Sequence, residues 1–224
     1  MPHPILFRSM RSLSILASLA LASSPSAFAA PRAKKEVGKK PAAEMLFVSP
    51  TGWTAVNTDR QEQVALTEWV QADQTRENNS EMITLLAFAS AVNIPPKDFA
   101  ANLVERFKGM GCTAEVYAPP VDEAQKGFAL QSKRKAPATE ESMATYACAT
   151  AAKSGMSRAM MAKGLLYVIQ YEKKKPTLSA EDLKSMSSTL AETTRVIEPK
   201  DAKSYEQTAK KQFKKTRTVY RLHF

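Results

Sequence analysis

The two cysteines of this sequence are the strongest candidates for a covalent bond between side chains. Cys112 follows a predicted helix, and Cys148 lies 36 residues further on in a predicted strand. In an oxidising compartment an even pair of cysteines usually forms a disulfide, and closing a loop of this length stabilises a fold by roughly 4 kcal/mol. We therefore predict a bridge that ties the helix end to the sheet. Two buried thiols and a redox pair are the alternatives, although the chain lacks a C-x-x-C motif.

The two histidines lie at the ends of the chain, where they cannot serve a central site. His3 belongs to a segment predicted to be removed, and His223 is the penultimate residue. A Ser-His-Asp triad, a Cys-His pair and a histidine-based zinc site all need an imidazole inside the domain. The sequence therefore predicts a protein that is not an enzyme and uses no cofactor.

Two other patterns could support hydrolysis. Ser132 and Lys135 have S-x-x-K spacing, but Lys135 stands in a run of three basic residues, and such a solvated lysine keeps its proton. The acidic pairs Asp122-Glu123 and Glu140-Glu141 are typical of solvated turns, whereas the carboxylates of glycoside hydrolases are brought together only by the fold. A carboxylate-based envelope hydrolase is kept as the alternative function.

Met156, Met160 and Met161 form a short methionine-rich group. Thioether sulfur suits Cu(I), so Met156 and Met160, which share one face of a strand, are candidate copper ligands. Methionine more commonly fills gaps in a core. A periplasmic copper-handling protein is thus a further alternative.

The N-terminal residues have the order of a secretory signal peptide. Two arginines precede the uncharged apolar run 13–22, and Ala27-Phe28-Ala29 provides a small-residue cleavage site. The run is shorter than the ~20 residues of a membrane-spanning helix, and an uncleaved anchor is the alternative. We predict cleavage after Ala29 and a periplasmic or secreted mature protein.

The positive charge is concentrated at the two ends of the mature chain. The total is +10, of which Arg8 and Arg11 in the predicted signal peptide carry +2, segment 30–41 carries +4 and segment 199–224 carries +6, so residues 42–198 carry −2. A nucleic-acid-binding domain would place its bases on a folded face or groove, and the sequence predicts no such partner. We expect a signal peptide at 1–29, a Lys/Ala/Pro-rich flexible linker at 30–44, a globular domain at 45–198 and a basic tail at 199–224.

The tail carries the most suggestive surface pattern. Tyr205, Ala209 and Phe213 are four residues apart, so in a helix they share one face with lysines beside it. A basic amphipathic helix of this kind settles on anionic surfaces, and a disordered, solvated tail is the alternative. The predicted surface- or partner-binding residues are Lys210, Lys211, Phe213, Lys214, Lys215, Tyr220 and Phe224.

The end of the tail has a second pattern. Tyr220, Leu222 and Phe224 alternate, as in the last strand of outer-membrane barrels and in the C-terminal peptides that PDZ-type domains bind. The body lacks the alternation of a barrel. Contact with an envelope protein or an anionic envelope surface, including peripheral membrane contact, is the partner interaction we expect.

The body of the chain predicts an α+β fold, a mostly antiparallel sheet with two packed helices at about 97–108 and 180–193. In the second helix Ser179 and Asp182 have the spacing of a capping box, and Leu178 and Leu183 that of a hydrophobic staple. A tight hairpin is expected at Lys163-Gly164. The predicted strands lie at 53–56, 64–70, 82–88, 113–117, 128–133, 143–150, 156–162 and 165–171.

This order of elements resembles that of PsbP/Mog1-type exported domains over about 50–198. The residues that carry the resemblance are Pro50-Thr51-Gly52-Trp53, the strand–helix unit 82–109 and the hairpin at 164–168 that leads into the second helix. Small proteobacterial exported proteins that combine a Glu-aromatic strand end, here Glu68-Trp69, with two cysteines are also similar. The resemblance implies an assembly factor or envelope adaptor, and no functional residue transfers with it. We therefore expect a non-catalytic binding protein of the cell envelope.

Overall fold

A computed structural model describes residues 44–61, 64–88, 94–118, 140–162, 165–197, 199–213 and 217–222 of the chain. All of them belong to one compact unit, residues 40–224. The described residues form ten strands and three helices, and all pairs between these strands are antiparallel. The predicted α+β class is confirmed.

Seven strands form the large sheet, in the spatial order β2-β3-β4-β8-β7-β6-β5. Most of them are eight to ten residues long and rich in β-branched and aromatic side chains. Their bounds are Trp53–Arg60 (β2), Val64–Gln71 (β3), Glu81–Phe88 (β4), Thr113–Tyr117 (β5), Glu140–Cys148 (β6), Lys153–Ala162 (β7) and Leu165–Lys173 (β8).

Three short strands form a second sheet, in which Glu44–Val48 (β1) lies between Val219–Leu222 (β10) and Thr194–Ile197 (β9). The three helices are Pro96–Gly109 (α1), Ala180–Thr193 (α2) and Pro199–Phe213 (α3). The helices predicted at 97–108 and 180–193 are thus confirmed as α1 and α2. In α2 the predicted capping box is present, because Ser179 and Asp182 each accept a hydrogen bond from the other's backbone N–H.

The main core lies on the face of the large sheet that carries Trp69, which we call the front face. Phe47 of β1 packs on Trp69 with ring centroids 4.1 Å apart, and Met186 and Leu190 of α2 are fully buried in the same cluster. Tyr220 of β10 meets the Trp69 ring edge-on at 5.0 Å. The small sheet and α2 therefore cover the front face, and α3 packs on the other side of the small sheet.

The opposite face of the large sheet, the back face, carries α1 over β5, β6 and β7. Phe107 of α1 stacks on Tyr146 of β6. Gly111 has φ +78°, a conformation that suits glycine, and it lets the chain turn from α1 into β5. Cys112 at this turn is bonded to Cys148 at the end of β6, with Cα atoms 4.3 Å apart. The predicted disulfide between helix end and sheet is confirmed.

The structure places the basic C-terminal segment inside the fold, where the sequence suggested a separate tail after residue 198. Strand β10 pairs with β1 along its length, and α3 buries Ala202 and Ala209 completely. Strand β1 likewise begins at Glu44, which is buried, within the segment predicted as linker. Neither short strand was visible as an element by itself, because each depends on a partner from the other end of the chain.

Some predictions fall outside the described residues. These are the signal peptide at 1–29, most of the linker, the strand at 128–133, the S-x-x-K residues, Asp122-Glu123 and the hairpin residues Lys163-Gly164. Strands β7 and β8 on either side of that hairpin are paired antiparallel as far as Ala162 and Leu165.

Candidate functional site

Helix α3 is amphipathic, and its apolar side is already used inside the fold. Ala202, Tyr205 and Ala209 recur at helical spacing and are buried. They pack with Leu46 and Val48 of β1 in a second, smaller core cluster. The side that the sequence suggested for binding an anionic surface is therefore the side that attaches α3 to the small sheet.

The lysines of α3 lie on the opposite side of the helix. Lys200, Lys203, Lys210 and Lys211 are all exposed. Successive residues of a helix are rotated by about 100° around its axis. The mean direction of the four lysines is therefore roughly 160° from the mean direction of the buried residues. The lysines extend over about 17 Å of helix, and Ser204, Gln207 and Thr208, which are also exposed, lie among them or next to them. We call Lys200, Lys203, Lys210 and Lys211 the lysine face.

The two acidic residues of α3 leave the lysine face with a net positive charge. Glu206 receives a hydrogen bond of 2.6 Å from Lys210 and also lies 3.9 Å from Arg221 of β10. An exposed pair at spacing i, i+4 contributes only ~0.3–0.5 kcal/mol, so the ammonium group of Lys210 stays accessible. Asp201 is half-buried in the first turn of α3, where a carboxylate interacts favourably with the positive end of the helix dipole.

The arginines of this region are directed inward, in contrast to the lysines. Arg195 lies over the ring of Tyr205 at 5.3 Å and Arg217 over the ring of Phe213 at 4.6 Å. Arg217 also donates a hydrogen bond of 2.5 Å to the carbonyl of Ser49, and burial lowers the pKa of its guanidinium. Guanidinium groups suit such stacked, partly buried positions. These side chains hold α3 and β10 in place.

Arg221 forms the ion pair that joins β10 to β1. The guanidinium of Arg221 donates hydrogen bonds to both oxygens of the Glu44 carboxylate, whose side chain is 3% exposed. These bonds raise the pKa of Arg221 above its usual value. Because a buried carboxylate is costly without a partner, this pair makes β10 part of the fold.

The structure separates the predicted binding residues into two groups. Lys210 and Lys211 are exposed and are joined by Lys200 and Lys203, which the sequence-based set omitted although they share the helical period. Phe213 packs partly on the second core cluster, and Tyr220 packs on Trp69. Lys214, Lys215 and Phe224 lie outside the described residues.

The methionine pair lies in the main core. Met156 and Met160 are 0% and 1% exposed and share the front face with Met143 of the neighbouring strand. Met45 and Met186 also belong to this cluster. The positions fit methionine's usual role of filling an irregular core. Among the described residues, no group of three or more His, Cys, Asp or Glu side chains could hold a metal ion.

A row of polar side chains crosses the back face of the large sheet, and the sequence analysis missed it. Glu68, Thr84, Gln170 and Ser157 are directly opposite one another on β3, β4, β8 and β7. All four are buried. Each of the four strands has one of these polar residues on its back face. The sequence alone cannot show that the four residues are neighbours, because this depends on the register between the strands.

Charged partners stabilise both ends of this polar region. Glu68 is fully buried, receives a hydrogen bond of 2.8 Å from Asn57 and forms an ion pair of 2.8 Å with Arg76. On β8, Glu172 accepts a hydrogen bond of 3.0 Å from the Tyr146 hydroxyl and one of 2.9 Å from Lys153. Burial, together with the Glu172 charge, raises the pKa of Tyr146, which therefore stays protonated as a donor.

Carboxylates also converge where α2 begins. Glu81 and Asp182 lie 3.2 Å and 3.1 Å from the ammonium of Lys173. The hydrogen bonds from Lys175 and Ser179 hold the pKa of Asp182 well below its usual value. An ionised carboxylate that is surrounded by donors, as Asp182 is, cannot deliver the proton that a general acid must supply. Glu141 forms an ion pair of 2.5 Å with Arg158. Each of these carboxylates is thus engaged in an ion pair within the fold.

Comparison with known proteins found no protein-family model and no curated protein that matches the chain. The resemblance to PsbP/Mog1-type domains stays a prediction. Among the described residues, no helix combines the length and the apolar character needed to cross a membrane.

Proposed function

We propose that this protein is an exported, non-catalytic binding protein that attaches to an anionic surface of the cell envelope through the lysine face of α3. One observation carries the proposal: α3 buries its apolar side against the small sheet and directs four lysines away from it. The proposal keeps the adaptor role expected from the sequence but assigns the contact to a folded helix. The buried carboxylates engaged in ion pairs favour this role over the hydrolase alternative.

Export is part of the proposal. Its support is the order of basic, apolar and small residues over 1–29 and the disulfide Cys112–Cys148, which is compatible with an oxidising compartment. Mass spectrometry of the protein recovered from a periplasmic or culture fraction should give a mature chain that begins at Ala30. An intact N-terminus in the cytosolic fraction would contradict export.

The binding experiment needs point substitutions because the C-terminal segment is structural. In cells that export the protein, Lys203→Glu/Lys210→Glu/Lys211→Glu should move it from the envelope fraction to the soluble fraction. The control, Lys97→Glu/Lys108→Glu/Lys184→Glu, makes the same change of charge at exposed positions on α1 and α2. We expect the control to fractionate like the natural protein. Equal behaviour of the two variants would show that the lysine face has no special role.

A further inference from the structure

The composition of the lysine face indicates what kind of surface it fits, provided that the proposed function holds. Between Lys200 and Lys211 the exposed side chains of α3 are lysine, serine, glutamine and threonine. Protein interfaces are centred on buried aromatic, methionine or arginine anchors and are depleted in lysine. The aromatic residues of α3 and the arginines around it are directed into the fold. The lysine face therefore lacks the anchor residues that a protein partner would use.

An anionic phospholipid surface, by contrast, requires no anchor residues. Each lysine held near such a surface gains about five-fold in affinity from the surface potential, and the contact needs no defined geometry. Four ammonium groups along about 17 Å of one helix side can reach headgroup phosphates at the same time. We propose that α3 docks on the headgroups of an anionic phospholipid bilayer.

The structure also determines the mode of docking. A basic amphipathic helix usually binds a bilayer by burying its apolar side in the headgroup region. In α3 that side is occupied, because Ala202, Tyr205 and Ala209 are at most 5% exposed. Insertion would require α3 to leave β1 and expose Leu46 and Val48. Docking therefore takes place by charge alone, with α3 folded on the small sheet.

Vesicle sedimentation with the folded full-length mature protein tests the proposal. We expect binding to vesicles of equal parts phosphatidylglycerol and phosphatidylcholine, no binding to phosphatidylcholine alone, and release at high salt because charge contacts are screened. Lys203→Gln/Lys210→Gln/Lys211→Gln should weaken binding about a hundred-fold at about five-fold per lysine. Lys97→Gln/Lys108→Gln/Lys184→Gln should bind within about two-fold of the natural protein, since these residues lie on other helices.

Two further measurements separate charge from fold and docking from insertion. Lys203→Arg/Lys210→Arg/Lys211→Arg should retain binding, because it keeps the charge, and unfolding curves confirm that each variant is folded. Hydrogen exchange of α3 backbone amides should be as slow on vesicles as in solution. Faster exchange on vesicles would show that α3 leaves the sheet to insert, and the docking proposal would be wrong.

The outcomes also distinguish this proposal from the proposed function. If the Lys→Glu variant is lost from the cell envelope but the purified protein does not bind anionic vesicles, phospholipid docking is overturned. The lysine face would then bind an acidic protein or a phosphate-bearing envelope polymer, and the proposed function would stand. If neither the envelope fraction nor the vesicles depend on the lysine face, both are overturned.

Discussion

The ring of Phe107 on α1 lies flat on the ring of Tyr146 on β6, with centroids 3.8 Å apart and planes 7° from parallel. The other side of the Tyr146 ring lies against Gly155 of β7, opposite it in register. Helix α1 is thus held on the sheet by an aromatic stack at a position where the neighbouring strand has no side chain.

This arrangement predicts that Gly155→Ala is destabilising. A Cβ at this position would lie 2.6 Å from the Tyr146 hydroxyl oxygen and 2.7 Å from two ring carbons. The ring must shift, which disturbs both the stack with Phe107 and the hydrogen bond to Glu172. We expect a loss of about 1–3 kcal/mol in the free energy of unfolding, the usual cost of overpacking a core. Urea unfolding measures it.

Gly109→Ala is the matched control. A Cβ at this last residue of α1 meets no atom within 4 Å, and alanine favours helix by ~1 kcal/mol over glycine. The control should be as stable as the natural protein or more so. If the two variants unfold at the same urea concentration, the close packing of Gly155 and Tyr146 has no energetic importance.

Loss of the disulfide should loosen α1 from the sheet. Both cysteines are buried, and the bridge closes a loop across 36 residues. We expect Cys112→Ser/Cys148→Ser to lower the free energy of unfolding by about 2–4 kcal/mol, with faster hydrogen exchange in α1 and β5 than in α2. Mass spectrometry under non-reducing conditions checks the natural protein, in which two free thiols would contradict the bridge.

Glu68 and Arg76 should be energetically coupled. Glu68 is fully buried, whereas the Arg76 side chain is 43% exposed, so removing the arginine leaves a buried carboxylate with less compensation. We expect Arg76→Met to be more destabilising alone than in the presence of Glu68→Gln, with a coupling of about 1 kcal/mol or more. A double-mutant cycle by urea unfolding measures it. Additive effects would show that solvent, rather than Arg76, stabilises the Glu68 charge.

Asp182 should make the stability of α2 depend on pH. Hydrogen bonds from Lys175 and Ser179 lower its pKa in the folded state. Its contribution is therefore fully present above the unfolded value of about 3.9 and is lost as the pH falls toward the lowered folded pKa. Asp182→Asn should cost about 1 kcal/mol at neutral pH, as for a helix cap, and less in strong acid. Urea unfolding at several pH values tests this, with the exposed Glu181→Gln as the control.

Truncation after Ile197 should abolish cooperative folding. It removes α3 and β10, and with them the Arg221 partner of buried Glu44 and the cover of Leu46 and Val48. We expect an aggregating or protease-sensitive chain, measured by circular dichroism and limited proteolysis. A truncated chain that unfolds cooperatively at unchanged urea concentration would restore the interpretation of 199–224 as a dispensable tail.

Local sequence patterns were sufficient to predict the helices and strands whose signals lie within their own residues. Helix α2 could be predicted to the residue because the capping box at Ser179 and the stripe of Leu183, Met186 and Leu190 are local features. Strands β3, β4 and β8 follow from runs of β-branched and apolar residues. Strands β1, β9 and β10 are four or five residues long, too short to be recognised without their partners.

The candidate site could be predicted only in part, because it depends on contacts between residues that are far apart in the sequence. The helical period of Tyr205, Ala209 and Phe213 identified the apolar side of α3, but the sequence could not say whether a bilayer or the protein itself would cover it. The small sheet covers it, so only the lysines remain available. The polar row of the back face depends on register between four strands and could not be found from any one of them.

The position of β1 affects how the chain can mature. Its two neighbours come from residues 194–197 and 219–222, so the small sheet closes only after nearly the whole polypeptide has been synthesised. Until then Phe47 and Trp69 have no permanent cover, and the pairing of such distant segments is slow. A chain that completes its core last stays without a rigid fold until its final residues are available for pairing.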